Sequence, residues 1–137
     1  MTLRDKENEV IEEFELFDDW MDKYEYIIDL GKELVLIEEQ YKTEENLIKG
    51  CQSRVWVWGE YSEGKINFTA DSDAIITKGI IALLIRVLGN ESPEEVVKAD
   101  LRFIKEIGLQ EHLSPTRANG LVGMVQQIKA LALSNCG

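Results

Sequence analysis

The sequence has few of the side chains that usually hold metals. It contains two cysteines and one histidine among 137 residues. Zinc and iron–sulfur sites normally draw several cysteines or histidines into one cluster, so no metal site is expected. A glycine-rich phosphate loop is also missing, because the ten glycines are scattered along the chain. We therefore expect the protein to have no metal, nucleotide or other cofactor of its own.

Basic charge is scarce as well. Fifteen Lys and Arg residues stand against 26 Asp and Glu, which gives a formal net charge of -11 at pH 7. Because nucleic acids and anionic lipids are bound through lysine and arginine, this charge argues against both as partners. The longest apolar run, Ile80 to Ile85, is far shorter than the roughly 20 residues of a spanning helix. The charged amino terminus does not look like a secretory signal, so a cytoplasmic protein is expected.

Length and composition predict one ordered domain over residues 1–137. Apolar residues at helical spacing predict two helices near the start, the second ending at Gly31, since glycine favours helix C-termini. Strands are then expected at 47–48, 54–61 and 65–70, the last two joined by a turn around Gly64. Helices complete the chain. The order predicts an α+β fold with a small three-stranded antiparallel sheet flanked by helices.

Capping residues mark the starts of three later helices. Side-chain oxygens in Asp71–Asp73 are placed to cap a helix over 74–88. Ser92-Pro93-Glu94-Glu95 has the spacing of a capping box. Ser114-Pro115 begins the last helix in the same manner.

Cys51 is the sharpest candidate for chemistry. It lies at the predicted turn between Gly50 and the polar residues Gln52 and Ser53, whereas a buried structural cysteine usually has apolar neighbours. A reactive thiol needs access and groups that favour the thiolate. Both a reactive thiol and a structural turn cysteine fit this position. Cys136, beside the terminal glycine, is expected to be an incidental thiol rather than a disulfide partner, and its role is open.

Two further residues have alternative interpretations. His112 is the only histidine, so a cysteine hydrolase would have to pair it with Cys51, but no hydrolase signature surrounds either residue. A surface or capping histidine is favoured. Arg117 falls in the first turn of the last helix, where its charge opposes the helix dipole. An ordinary ion pair with an acidic residue competes with a functional role for it.

Several separated motifs resemble one known family. The segments are KGCQSRVWVW (49–58), TADSDAIITKGIIALLI (69–85) and LQEHLSPTRANGL (109–121), with WMDKYEYIIDLGKEL (20–34) near the start. They contain GCQS-x-VW and L-[ST]-P-x-R in the family's order. The chain closely resembles the SufE family, the sulfur-acceptor proteins of iron–sulfur cluster assembly, over almost its whole length.

The resemblance implies a fold shared with IscU-type scaffolds and a sulfur relay. A SufE protein accepts sulfur from a pyridoxal-phosphate cysteine desulfurase of the SufS type, stimulates that enzyme, and passes the sulfur to the SufBCD scaffold. Cys51 would hold the sulfur as a persulfide. The residues that would accompany it are Gly50, Gln52 and Ser53 in a mobile loop, and Asp73, Arg117 and His112 near the site.

Other functional interpretations remain open at this point. The chain could be an adaptor that docks on a desulfurase without carrying sulfur, or it could serve a Csd-type rather than a Suf-type desulfurase. A homodimer is possible. In each case the protein is an accessory factor for which no independent turnover is expected.

Overall fold

The computed structural model describes residues 2–135, so Cys136 lies outside the described residues. In this part of the chain two helices precede a β-hairpin and four helices follow it. The strands are β1 (Val55–Ser62) and β2 (Lys65–Ser72). The helices are α1 (Leu3–Glu15), α2 (Trp20–Lys32), α3 (Ile75–Leu88), α4 (Pro93–Lys98), α5 (Arg102–Glu106) and α6 (Pro115–Leu133). Short 3-10 turns cover Glu39–Tyr41, Glu44–Asn46 and Gln110–His112. No helix of residues 2–135 is long and apolar enough to cross a bilayer.

The hairpin forms as its turn residues predict. Ser62 pairs with Lys65, which leaves Glu63 and Gly64 as a two-residue loop. Both loop residues have positive φ, 52° and 83°, as a tight hairpin turn that matches the strand twist requires. The apolar side of the hairpin is buried in the core together with α3 and α6.

The predicted third strand is wrong, although the α+β class is confirmed. The sheet has two strands, β1 and β2. Leu47 forms only an isolated bridge to Trp56, and the Ile48 amide donates to the Val55 carbonyl at 2.8 Å. The 3-10 turn Glu44–Asn46 precedes this pair and Gly50, at φ +88°, turns the chain soon after it. Too few residues remain between the two turns to continue the ladder.

Gly31 does not end the second helix, contrary to the sequence prediction. It lies inside α2, which ends at Lys32, and it is buried against α3. A Cβ at Gly31 would lie 2.9 Å from the Gly79 nitrogen, and a Cβ at Gly79 would lie 2.2 Å from the Ile27 carbonyl oxygen. Glycine is required on both helices because their backbones touch.

Arg86 of α3 fastens this helix to α1 and α2. Its guanidinium donates to Glu9 at 2.9 Å, to Glu13, and to the Tyr26 hydroxyl at 3.1 Å. The hydrogen bonds that Arg86 donates to Glu13, and then to Glu9, raise its pKa above the usual range despite partial burial. The arginine therefore stays charged within a half-buried network.

The helix caps follow the sequence at α4 and α6 but not at α3. The Ser92 and Ser114 hydroxyls accept from the amides of Glu95 and Arg117, each at 3.3 Å. The second bond of a capping box, from the Ser92 amide to the Glu95 carboxylate, is not present within residues 2–135. Ala74 is the N-cap of α3 and no side chain caps the helix. The Asp73 carboxylate bonds elsewhere.

Candidate functional site: the Cys51 loop

The Cys51 loop (residues 49–54) leads from the Leu47 bridge into β1 and is fixed at its far end by Asp73. The Arg54 amide donates to Asp73 Oδ1 at 3.0 Å, and the Asp73 amide donates to the Arg54 carbonyl at 3.2 Å. Gly50, with φ +88°, supplies the turn before the cysteine. Asp73 thus holds the end of the loop against the start of α3.

Two glycines of α6 allow the loop to pack directly against this helix. A Cβ at Gly123 would lie 2.5 Å from the Lys49 carbonyl oxygen, and a Cβ at Gly120 would lie 3.0 Å from Cys51 Sγ. The Cys51 thiol donates a weak hydrogen bond to the Gly120 carbonyl at 3.7 Å. The sequence motifs identified neither glycine as part of the site. Their signal was a pair of costly glycines three residues apart on one helix face, which indicates a close backbone approach.

A cavity of about 70 Å³ lies beside Cys51. Its floor combines the apolar side chains of Ile80 and Met124 with the buried Thr77. Arg117, from the first turn of α6, is exposed and lies at the edge. The remaining lining residues are Gln52, Ser53, Thr116 and Gly120.

Burial raises the pKa of the Cys51 thiol above its ordinary value. The thiolate is the nucleophilic form of cysteine, so the inward, half-buried thiol is weakly reactive at neutral pH. Chemistry at Cys51 requires a change that exposes the sulfur or brings a charge close to it.

This pKa direction predicts the pH profile of alkylation. In a Cys136→Ser background, the rate of Cys51 alkylation by iodoacetamide is expected to reach half its maximum at a pH above the value of about 8.5 for free cysteine. In urea, the unfolded chain is expected to titrate near the ordinary value and to react faster at pH 7. A native midpoint below that of the unfolded chain would contradict the burial argument.

Three cations in or beside the loop have no ion-pair or hydrogen-bond partner for their side chains within residues 2–135. Arg117, Lys49 and Arg54 are exposed, and their side chains form no ion pair or hydrogen bond with any residue of 2–135. The competing expectation for Arg117, an ion pair with an acidic residue, is not observed in this part of the chain. Of the three cations, Arg117 lines the cavity, while Lys49 and Arg54 belong to the loop, in a chain of net charge -11.

His112 does not line the Cys51 cavity. Its ring stacks on Trp20, with the centroids 4.1 Å apart, and its Nδ1 lies 2.9 Å from the Gly108 carbonyl oxygen. The Tyr24 hydroxyl donates to the His112 carbonyl. These contacts hold the 3-10 turn Gln110–His112 against α2, and the Cys51–His112 pair of a hydrolase is not formed.

No group of three or more potential metal ligands is found among residues 2–135. The site consists of one thiol, a small cavity with Arg117 in its lining, and two exposed cations of the loop, Lys49 and Arg54.

Comparisons with known proteins identify the family of the chain. The family model described as "SufE: Fe-S metabolism associated domain" matches residues 8–132. The chain belongs to the SufE family. An uncharacterised SufE-like protein of Rhizobium meliloti (strain 1021) is 37% identical over 130 residues, covering 91% of this chain and 93% of that protein. The SufE resemblance seen in the sequence is thus confirmed.

A solved structure also shares the fold. The solution structure of a hypothetical protein from Thermus thermophilus has a TM-score of 0.79 and 21% sequence identity, covering 94% of each chain. At this identity the likeness concerns the fold alone. It matches the α+β arrangement that carries the Cys51 loop in this SufE-family chain.

Proposed function

We propose that this protein is a sulfur carrier that accepts persulfide sulfur from a cysteine desulfurase onto Cys51. The observation that carries the proposal is the placement of Cys51 in a short loop, held at Gly50 and Asp73, beside a small cavity that Arg117 also lines. Membership of a family associated with iron–sulfur metabolism supports a role in sulfur transfer.

The transfer step is an exchange between a thiolate and a persulfide. The Cys51 thiolate attacks the outer sulfur of the donor's persulfide, a new S–S bond forms on Cys51, and the donor cysteine leaves as a thiolate. No oxidant or reductant is consumed. Cys51 is the only cysteine in residues 2–135, so this part of the chain supplies no second thiol that could attack the loaded persulfide and release sulfide.

The cations of the site favour the charged forms of sulfur. In this proposal Arg117 of the cavity lining and the loop residues Lys49 and Arg54 stabilise a thiolate or persulfide anion once the loop turns outward, since a nearby opposite charge lowers a thiol pKa. Burial raises the pKa of the inward thiol, so Cys51 has to turn outward before it reacts. In this proposal, docking of the partner triggers that movement. Transfer of the sulfur to Cys51 then removes the product persulfide from the desulfurase and so stimulates that enzyme.

The partners follow from the family. The donor in this proposal is a SufS-type desulfurase, which brings its own pyridoxal phosphate, and the receiver is the SufBCD scaffold. A Csd-type donor is the alternative source of the same sulfur. This chain contributes Cys51 and its loop and no cofactor of its own.

Intact-mass spectrometry tests the proposal. Native protein, Cys51→Ser and Cys136→Ser are each mixed with a SufS-type desulfurase, pyridoxal phosphate and free cysteine. We expect the native protein and Cys136→Ser to gain one or more sulfur atoms, lost again on reduction, and Cys51→Ser to gain none. If none of the three gains mass while desulfurase turnover still rises, the protein is an adaptor and the carrier proposal fails.

A further inference from the structure

The cavity beside Cys51 contains a hydroxyl group without a partner. Thr77 of α3 is 7% exposed and lines the cavity. No hydrogen bond joins its side chain to any residue of 2–135. Within the same residues, every fully buried side-chain nitrogen or oxygen atom has a partner. The Thr77 hydroxyl therefore opens into the cavity rather than into packed protein.

The size and lining of the cavity suit one additional heavy atom beyond Cys51 Sγ. A cavity needs only about 10–15 Å³ of probe-occupied volume to hold a water molecule, and this one offers about 70 Å³. Ile80 and Met124 make its floor apolar, and Thr77 adds the hydrogen-bond donor there. The other polar side chains of the lining are exposed or half-buried, and Thr77 is the buried one; the exposed or half-buried ones are Gln52, Ser53, Thr116 and Arg117.

We propose that the Thr77 hydroxyl donates a hydrogen bond to the terminal sulfur of a Cys51 persulfide and retains that sulfur in the cavity. The inference rests on the proposed function, since it concerns the loaded form of the same cysteine. It assigns to Thr77 the binding of the transferred sulfur, and to Ile80 and Met124 the exclusion of water and reductants.

Loading changes the hydrogen bonds of Cys51 in a way that favours this contact. Before loading, the thiol hydrogen points to the Gly120 carbonyl. After transfer, Sγ carries the second sulfur in place of that hydrogen and can no longer donate. The terminal sulfur bears the proton or the negative charge. A persulfide loses its proton more readily than the parent thiol, and a buried anion needs a hydrogen-bond donor.

The test measures how fast the loaded sulfur is lost. Native protein, Thr77→Val and Thr77→Ser are loaded by a cysteine desulfurase or, in a parallel arm, by inorganic polysulfide, and then freed of the donor. Cyanide attacks the terminal sulfur, Cys51 leaves as a thiolate, and thiocyanate is measured against time. Thr77→Val keeps the shape and removes the hydroxyl, whereas Thr77→Ser keeps the hydroxyl.

We expect Thr77→Val to lose sulfur about fivefold faster than the native protein, as the loss of one hydrogen bond predicts. Thr77→Ser is expected to stay near the native rate. Urea unfolding of each unloaded variant checks that the fold is intact. Equal rates for native and Thr77→Val, or fast loss from both variants, would overturn the role of the hydroxyl while leaving the carrier function in place. Loading by polysulfide but not by a desulfurase would instead refute the proposed function. The rates of sulfur loss from the polysulfide-loaded native protein and variants would still test the role of the Thr77 hydroxyl.

Discussion

Replacing Gly79 by alanine is expected to lower the free energy of unfolding by about 2–3 kcal/mol. The added Cβ would lie 2.2 Å from the Ile27 carbonyl oxygen and 2.7 Å from its carbonyl carbon. Neither is the flexible end of a side chain, so α2 and α3 must move apart and loosen the buried contacts between them. Alanine favours helix by about 1 kcal/mol over glycine, which offsets only part of this loss.

Urea unfolding measures the effect, and Gly64→Ala is the matched control. A Cβ at Gly64 would meet nothing within 4 Å, so that variant suffers only the strain of φ +83°, about 1 kcal/mol. The unfolding midpoint of Gly79→Ala is expected to fall further than that of Gly64→Ala, with the slope unchanged. Equal or reversed midpoints would show that the two helices can separate at little cost.

Replacing Gly123 by alanine is expected to displace the Cys51 loop from α6. The Cβ would lie 2.5 Å from the Lys49 carbonyl oxygen and 3.3 Å from the Ile48 side chain. Ile48 is held to Val55 by a backbone hydrogen bond, so the strain falls on Lys49 and the residues that follow. Cys51 then loses the burial that raises its pKa. Each unit by which the pKa falls increases the thiolate at pH 7 about tenfold.

Alkylation by iodoacetamide at pH 7, in a Cys136→Ser background, measures the displacement. We expect Gly123→Ala to react about tenfold faster than its parent, which corresponds to one pKa unit. Val122→Ala changes a neighbouring residue of α6 that is 44% exposed, and it should leave the rate unchanged. An unchanged or slower rate for Gly123→Ala would mean that the close packing of the loop on Gly123 does not control access to the thiol.

Local signals in the sequence predicted local structure well. The Ser92 and Ser114 caps and the turn at Gly64 depend on residues within one turn of each other, so sequence alone identifies them. The two-residue strand at 47–48 was too short to show alternation. Whether such a pair extends a sheet or makes one bridge depends on where the chain turns next, and Gly50 turns it early.

The error at Gly31 and the omissions at the Cys51 site share one cause. Gly31 has the residue type of a helix end, but its contact with Gly79 decides its role, and that contact joins distant parts of the chain. Gly120 and Gly123 serve the Cys51 loop in the same way. A motif can identify Cys51, but the atoms against which the loop packs come from α6. Periodicity along one segment contains no information about contacts with a second segment.

The unpaired cations around the loop also influence how two copies of the chain meet. Lys49, Arg54 and Arg117 form no ion pair within residues 2–135, and the Asp73 carboxylate at the end of the loop already accepts from a backbone amide. Two such faces brought together would place like charges in contact, and like charges repel. Electrostatic repulsion between these cations therefore counts against covalent dimers through two Cys51 thiols.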